Sequence, residues 1–313
     1  MISRSDVEAA RARIGSRVRT TPVFADGDRW LKLEQLQHTG SFKARGAFNR
    51  IVAAAEQGGL PGVGVVAASG GNAGLAVAYA ARELGVPAEV YVPETAPAVK
   101  VAGLRALGAA VVQVGREYAE AYDAATKRVA DTGALFCHAY DQPEICAGQG
   151  TLALELEEQT GGVDTVLVAV GGGGLMAGIA AALEGRSRVI AVEPHGCASL
   201  NAALAAGEPV DVEVSGVAAD SLGARRIGEI AFAVARRTDV TSLLVGDEDV
   251  IAARRDLWRR YHLVLEHGTA AAYAALLTGA YRPSPGERLA VICCGANTDP
   301  SDLTERGTLT ATE

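Results

Sequence analysis

The sequence predicts an α/β fold of two domains, each a mostly parallel, twisted sheet covered by helices. Two observations carry this. From about Val63 onward, short β-branched runs alternate with longer Ala-rich stretches of helical period; strands that read as unbroken apolar runs are those buried on both faces, as parallel strands under helices must be. The 313 residues also approach the length at which a single core stops growing, which favours two domains.

The elements follow in order. Ser5 with Glu8 reads as a capping box that opens the first helix. A first β-α series consists of strand 64–68, helix 72–84 closed by Gly85, strand 88–92 ended by Pro93, helix 99–107 stopped by Gly108, strand 110–114 and helix 118–130. After the Asp141-Gln142-Pro143 turn a second series runs through helix 143–158, strand 165–170, a helix beyond four glycines, strand 188–192, strand 242–245, helices 248–261 and 268–279, and strand 289–293. Between about 208 and 228 helical period is lost and turn residues gather, so an extended connection is expected there. The polar tail after Asp302 is expected to fray.

Composition excludes several classes of function. A net charge of −8 provides no basic footprint, and only two Trp and five Phe leave no base-stacking platform, so nucleic acid is not an expected partner. The N-terminus carries charges throughout and lacks the apolar run of a secretory signal. The most apolar stretch, 163–183, holds Asp164 and is cut by Gly171-Gly172-Gly173-Gly174, so no membrane span is expected. Five cysteines, an odd number without CxxC pairing, fit reduced thiols in a cytoplasm.

Ligands of open α/β sheets bind beyond the carboxyl ends of the strands, so the strand-to-loop junctions are the places to look. At the first, Val170 runs into Gly171 to Gly174 and then Leu175 and a helix. A glycine run alone is a flexible turn; between a buried strand and a helix start it lets backbone N–H groups converge on a phosphate. A dinucleotide fingerprint fits poorly, since Glu193, the nearest acidic candidate, is followed by Pro194. The second junction is Ser69-Gly70-Gly71-Asn72-Ala73, where the loop either holds a carboxylate at a helix start or simply caps the helix. The third, Cys293-Cys294-Gly295-Ala296-Asn297, would ordinarily be two buried thiols acting as small hydrophobes. Finally, Lys43 sits beside Phe42 and ahead of an apolar helix face with Ala47, Phe48 and Ile51. Desolvation there would lower its pKa and make it a nucleophile toward a carbonyl.

Taken together, Glu34 with Gly40-Ser41-Phe42-Lys43-Ala44-Arg45-Gly46, then Ser69-Gly70-Gly71-Asn72, the tetraglycine loop and Cys294-Gly295-Ala296-Asn297 resemble the serine/threonine dehydratases among the fold type II (tryptophan synthase β-like) pyridoxal-phosphate enzymes. The likeness runs from Arg19 to Asn297, and Ala73, where threonine dehydratases and serine racemases usually carry His, places it closest to the serine dehydratase branch.

The resemblance implies a large cofactor-binding domain of 1–45 and 140–313, with a small mobile domain of 46–139 on the substrate side. It makes Lys43 the Schiff-base lysine of pyridoxal 5′-phosphate, Gly171 to Gly174 with Leu175 the phosphate cradle, Phe42 a packing surface for the ring, Asn72 a partner of the ring hydroxyl, and Cys294 the group facing the pyridine nitrogen. A thiol is a poor proton donor to a pyridine, which favours prompt loss of a β-leaving group. Ser69, Gly70, Gly71, Asn72 and Ala73 would hold the substrate, with Ser69 and the loop amides on its carboxylate. Racemases of the family have a second Ser where this chain has Gly70, so elimination is expected over racemisation. A family cation site matches Glu193, the Cys197 carbonyl and Ser199; Ser199 in place of the usual Asp points to potassium ahead of magnesium. The other reading of Glu193 is a loop cap. His138 and His195 are expected in loops, not on a metal.

The expected activity is therefore dehydration and deamination of L-serine or L-threonine by a cytoplasmic homodimer. A β-replacement synthase of the cysteine synthase type, a hydroxyaspartate dehydratase and a non-catalytic ligand-binding homologue are the alternatives. The chain's stop soon after its last strand makes a regulatory domain unexpected.

Overall fold

A computed structural model describes residues 1–303; the tail expected to fray lies outside the described residues from 304 onward. The chain opens with α1 (Arg4–Ile14), a hairpin of β1 (Val23–Asp26) and β2 (Arg29–Lys32), and α2 (Lys43–Glu56). Then come β3 (Val65–Ala68), α3 (Asn72–Glu83), β4 (Ala88–Val92), α4 (Ala98–Ala106), β5 (Ala110–Gln113), α5 (Tyr118–Thr132) and β6 (Leu135–Phe136). The remainder is α6 (Pro143–Thr160), β7 (Thr165–Ala169), α7 (Gly174–Ala182), β8 (Arg188–Pro194), α8 (Ser199–Ala206), α9 (Ala219–Leu222), α10 (Glu229–Arg237), β9 (Thr241–Val245), α11 (Asp247–Tyr261), α12 (His267–Leu277) and β10 (Leu289–Ile292). Among the described residues, no helix is long and apolar enough to cross a membrane.

The elements read from the sequence are present with ends shifted by one or two residues. One expectation is corrected. The first helix is capped by Ser3, whose Oγ accepts from the Asp6 amide while the Asp6 carboxylate accepts from the Ser3 amide at 2.8 Å. Asp6 is short enough to reach back from the third helical position, so the box closes two residues ahead of Ser5 and Glu8. The β1–β2 hairpin, β6, α8 and α10 carry no clear sequence signal. The stretch 208–228 is irregular apart from the single turn of α9.

Two sheets form. Six strands stand in the order β1-β2-β10-β7-β8-β9, parallel except for β1 against β2; four stand in the order β5-β4-β3-β6, all parallel. Both share one topological feature. From β7 the chain winds outward through β8 and β9, then returns as β10 on the other side of β7; from β3 it winds outward through β4 and β5, then returns as β6 on the other side of β3. Each sheet therefore has a switch point, and loops leaving the carboxyl ends there diverge and leave a crevice.

Strand β7 shows why unbroken apolar runs predict buried parallel sheet. Its alternating side chains point to opposite faces: Val166 and Val168 join the core under α6, α7 and α10, while Leu167 and Ala169 join the core under α12. In the smaller sheet α2, α3 and α4 cover one face and α5 the other.

A buried ionic cluster fixes α2 to this frame. Arg45, fully buried, donates from Nε and Nη2 to both Glu34 oxygens at 2.8 and 2.7 Å and from Nη1 and Nη2 to both Glu155 oxygens at 2.7 and 2.9 Å. Lys32 donates to Glu155 at 2.8 Å and Thr21 Oγ1 donates to Glu34. Burial opposes the Arg45 charge, but Glu34 and Glu155 outweigh it and raise its pKa. Arg45→Met, similar in length, would leave Glu34 facing Thr21 alone, and a broken buried pair costs about 3–5 kcal/mol. Urea unfolding of Arg45→Met is expected to show a loss of that size; a change below about 1 kcal/mol would contradict the reading.

Candidate active site

Lys43 is the first residue of α2 and follows Phe42, whose backbone N–H donates to Cys294 O at 3.1 Å. Ala296 N donates to Gly40 O at 3.0 Å, and Ser41 bridges Gly295, so the segment ahead of Lys43 is laced to the loop leaving β10. The Lys43 amine donates to Ala139 O at 2.7 Å and lies 5.1 Å from the Phe42 ring centre. Burial lowers its pKa to about 8, against weak opposing pulls from Cys146, Cys294 and Glu266. Ala139 belongs to the loop after β6, so this one hydrogen bond joins the two switch points.

The glycine loop joins β7 to α7. Ser199 Oγ donates to Gly171 O at 2.8 Å and Gly228 N to Gly172 O at 3.1 Å, so these carbonyls are turned to partners elsewhere. The first amides of α7 are the orphan donors every helix start presents. A Cβ on Gly172 would lie 2.3 Å from the Tyr140 ring, and one on Gly174 2.6 Å from Tyr140 O. Gly173 has φ of 86° and a Cβ there would meet Ala231 at 2.5 Å. The glycines thus keep backbone bare and also admit the loop after β6. Leu175 is buried and anchors the turn in the core.

The loop after β3 carries Ser69, whose Oγ accepts from Gly71 N at 3.3 Å, and then Asn72 and Ala73 in the first turn of α3. Asn72 donates to both Glu266 oxygens at 2.9 and 3.1 Å, while its Oδ1 accepts from Asn297 Nδ2 at 2.6 Å. Asn297 N donates to Glu266 Oε1 at 2.9 Å. Glu266 is nearly fully buried, and burial raises its pKa despite these donors. No sequence signal marks Glu266; only the structure carries it from the start of α12 to the start of α3. Gly70 has room for a side chain, its nearest neighbour to a Cβ being Val92 at 3.5 Å.

Cys294 is buried with Sγ 3.1 Å from Thr269 Oγ1, which also accepts from Gly295 N at 3.0 Å. Burial pushes the thiol up to about 12, so it stays protonated. Glu193 lies apart from this cluster. Its two oxygens accept from Leu200 N and Asn201 N, both at 2.8 Å, and from Ser242 Oγ at 3.2 Å, so it caps α8; burial pushes its carboxyl up to about 7. Cys197 and Ser199 flank the same turn, and Ser199 alone of the three reaches the glycine loop. His195 lies in a short 3-10 turn and His138 in the loop after β6. A groove of about 740 Å³ opens at the opposite, amino ends of β7, β8 and β9, around Arg186, Arg188 and Thr241.

The residues fit a phosphorylated aldehyde on three counts. A desolvated amine stands ready for the carbonyl, bare backbone at a helix start suits the phosphate, and the fully buried Ser41 hydroxyl, two residues from Lys43, has no hydrogen-bond partner among the described residues.

Comparison with known proteins agrees. The family model for pyridoxal-phosphate dependent enzymes matches residues 18–295. The chain is 34% identical over 310 residues to an L-threonine ammonia-lyase of Thermotoga maritima, covering 96% of this chain and 76% of that one. It is 37% identical over 306 residues to a phenylserine dehydratase of Ralstonia pickettii, covering 94% and 93%. Among solved structures, serine racemase from Dictyostelium discoideum superposes with a TM-score of 0.88 at 30% identity, covering 95% of this chain and 99% of that one. A fungal L-serine ammonia-lyase from Rhizomucor miehei superposes with 0.82 at 27%, covering 89% and 94%. The chain belongs to the pyridoxal-phosphate dependent enzymes.

Proposed function

We propose that the chain dehydrates and deaminates a β-hydroxy α-amino acid, L-serine or L-threonine in the simplest case, releasing a 2-oxo acid and ammonia. The observation that carries this reading is the Lys43 amine, desolvated to a pKa of about 8 where the two switch points meet. Pyridoxal phosphate, when bound, supplies an electron sink for the substrate's α-carbon. Lys43 would hold it, with the Gly171 to Gly174 backbone on its phosphate. At pH 7 about one Lys43 side chain in ten is an uncharged amine, against roughly one in three thousand for an ordinary lysine. It can therefore take the α-proton. Ser69 and the amides at the start of α3 hold the carboxylate, and the Cys294 thiol, kept neutral by burial, places no charge opposite. Water leaves from the β-carbon, and hydrolysis of the resulting enamine returns a water and frees ammonia. Gly70 offers no side chain to return a proton to the opposite face, which supports elimination over racemisation.

The reading includes a monovalent cation, potassium ahead of magnesium, at Glu193, the Cys197 carbonyl and Ser199, because one carboxylate with neutral oxygens suits a monovalent ion. It also includes a mobile unit of 46–139, supported by the separate small sheet, and a cytoplasmic homodimer; scattering with and without substrate, cell fractionation and sedimentation equilibrium test these.

Three outcomes check the proposal. Competitive acetylation of the cofactor-stripped protein is expected to modify Lys43 with a midpoint near pH 8; a midpoint above about 10, the ordinary lysine range, removes the desolvated amine. Lys43→Ala should abolish both the visible absorbance of the holoenzyme and 2-oxo acid release, and retention of either refutes the assignment. Melting in potassium chloride should lie above melting in lithium chloride at equal ionic strength, with equal values counting against the cation.

A further inference from the structure

Glu266 is a buried carboxylate at the site to which the proposed chemistry gives no task. It stands at the N-cap of α12, where a side chain ordinarily accepts from the first amides of its own helix. Among the described residues, none of the α12 amides donates to it. Its oxygens turn instead to the side chain of Asn72, at the start of α3, and to the backbone N–H of Asn297, after β10. Gly295 makes room for them, since a Cβ there would lie 2.8 Å from Glu266 Oε1, and Glu266 N donates to Gly295 O at 3.1 Å. The carboxylate is thus fixed to the β10 loop and aimed at the small sheet's side of the crevice.

These contacts belong to a directed chain of side-chain amides. Asn297 Nδ2 places its hydrogens on Thr39 O at 2.7 Å and on Asn72 Oδ1 at 2.6 Å. Asn72 turns its own nitrogen to Glu266, 2.9 and 3.1 Å from the two oxygens. A backbone carbonyl accepts and never donates, and an ionised carboxylate does the same. Thr39 O therefore fixes one end of the chain and Glu266 the other. Between them neither asparagine can exchange its oxygen and nitrogen without setting donor against donor or acceptor against acceptor. Thr39 holds its carbonyl there from a left-handed backbone, φ 61°, that a β-branched residue seldom adopts. Burial raises the Glu266 pKa and Asp220 adds to it, while Asn72, Asn297 and Lys100 oppose. Both oxygens face donors, so a proton on either would have to displace one.

The two oxygens of a carboxylate stand too close together to take both hydrogens of one amide, so Glu266 shares a single N–H of the half-buried Asn72 and leaves the second unused. We propose that Glu266 is a positioning residue, which keeps that second N–H of Asn72 available as the donor to the ring hydroxyl of pyridoxal phosphate. Asn72 follows β3 of the small sheet, whereas Glu266 and Asn297 belong with the large one, so the donor is set where the loops of the two sheets meet. The inference rests on the cofactor of the family and, for turnover alone, on the proposed dehydration.

The test compares the wild type, Glu266→Gln and the double variant Asn72→Asp/Glu266→Gln. Glu266→Gln keeps the volume of the side chain but sets an NH2 against the Asn72 nitrogen. It should weaken pyridoxal phosphate binding to the cofactor-stripped protein about tenfold, as loss of a charge-assisted hydrogen bond does, and lower that protein's melting temperature by a few degrees. With cofactor and substrate saturating, kcat should also fall about tenfold. In the double variant the new amide at 266 donates to the new carboxylate at 72, which still accepts from Asn297, but position 72 has no donor left. Melting should therefore return toward the wild type while cofactor affinity stays at least tenfold weak. Wild-type affinity in Glu266→Gln, or a double variant that regains affinity together with melting temperature, reduces Glu266 to a structural contact and overturns the assignment. A double variant no more stable than Glu266→Gln overturns the directed chain. Should the wild type release no 2-oxo acid from serine or threonine, the dehydration falls, and the affinity and melting arms still decide the role of Glu266.

Discussion

The site depends on a single cation buried between two carboxylates. Arg45 lies two residues beyond Lys43 on α2 and grips Glu34, from the turn after β2, and Glu155, from α6. Those three segments belong to different parts of the chain, and without a countercharge none of their ionised groups would be tolerated in the core. With all of them present, the first turn of α2 has one direction in which to start. The backbone lacing between 40–42 and 294–296 then sets where that turn stands relative to β10. Lys43 inherits its position from both.

That position acquires meaning from topology. Each sheet reverses its winding once, between β7 and β10 and between β3 and β6. Four loops that carry site residues leave the carboxyl ends of strands beside these reversals: the glycine loop after β7, Cys294 and Asn297 after β10, Ser69 and Asn72 after β3, Tyr140 after β6. Where the loops of the two sheets meet, polar contacts join them, among them Lys43 to Ala139 and Asn72 to Glu266 and Asn297. Contacts of that kind cost little to break and re-form, which suits a crevice that must admit a substrate and then exclude water.

What was legible in the sequence follows the same physics. Apolar runs in β3, β7 and β10 are legible because burial on both faces leaves no polar positions, and Lys43 with the glycine loop because charge beside apolar surface and bare backbone before a helix are each unusual. The β1–β2 hairpin escaped because buried Lys32 in β2 and Glu34 just after it read as polar until Glu155 is placed on the one and Arg45 on the other. The Ser3 cap was displaced by two residues because Ser3-Asp6 and Ser5-Glu8 fit the same pattern, and only the three-dimensional start of α1 separates them. Glu266 was invisible because only the tertiary approach of α12 to α3 brings it to Asn72.

Lys32 and Lys43 show how one residue type yields structure in one place and chemistry in another. Both amines are withdrawn from bulk water, and burial lowers the pKa of each. An ammonium has three protons to place. Lys32 places them on Thr21 O, Glu155 and Gln159 at 2.8 to 2.9 Å, one of these a full negative charge, so the charged form is supported and the side chain serves as a strut. Lys43 has Ala139 O for one proton, the face of Phe42, and two thiols held neutral by the same burial. Its nearest carboxylate, Glu266, has its oxygens occupied by Asn72 and Asn297. The charged form at Lys43 thus lacks both the partners and the countercharge that Lys32 enjoys, and the surroundings raise the share of the neutral amine, a base and a nucleophile.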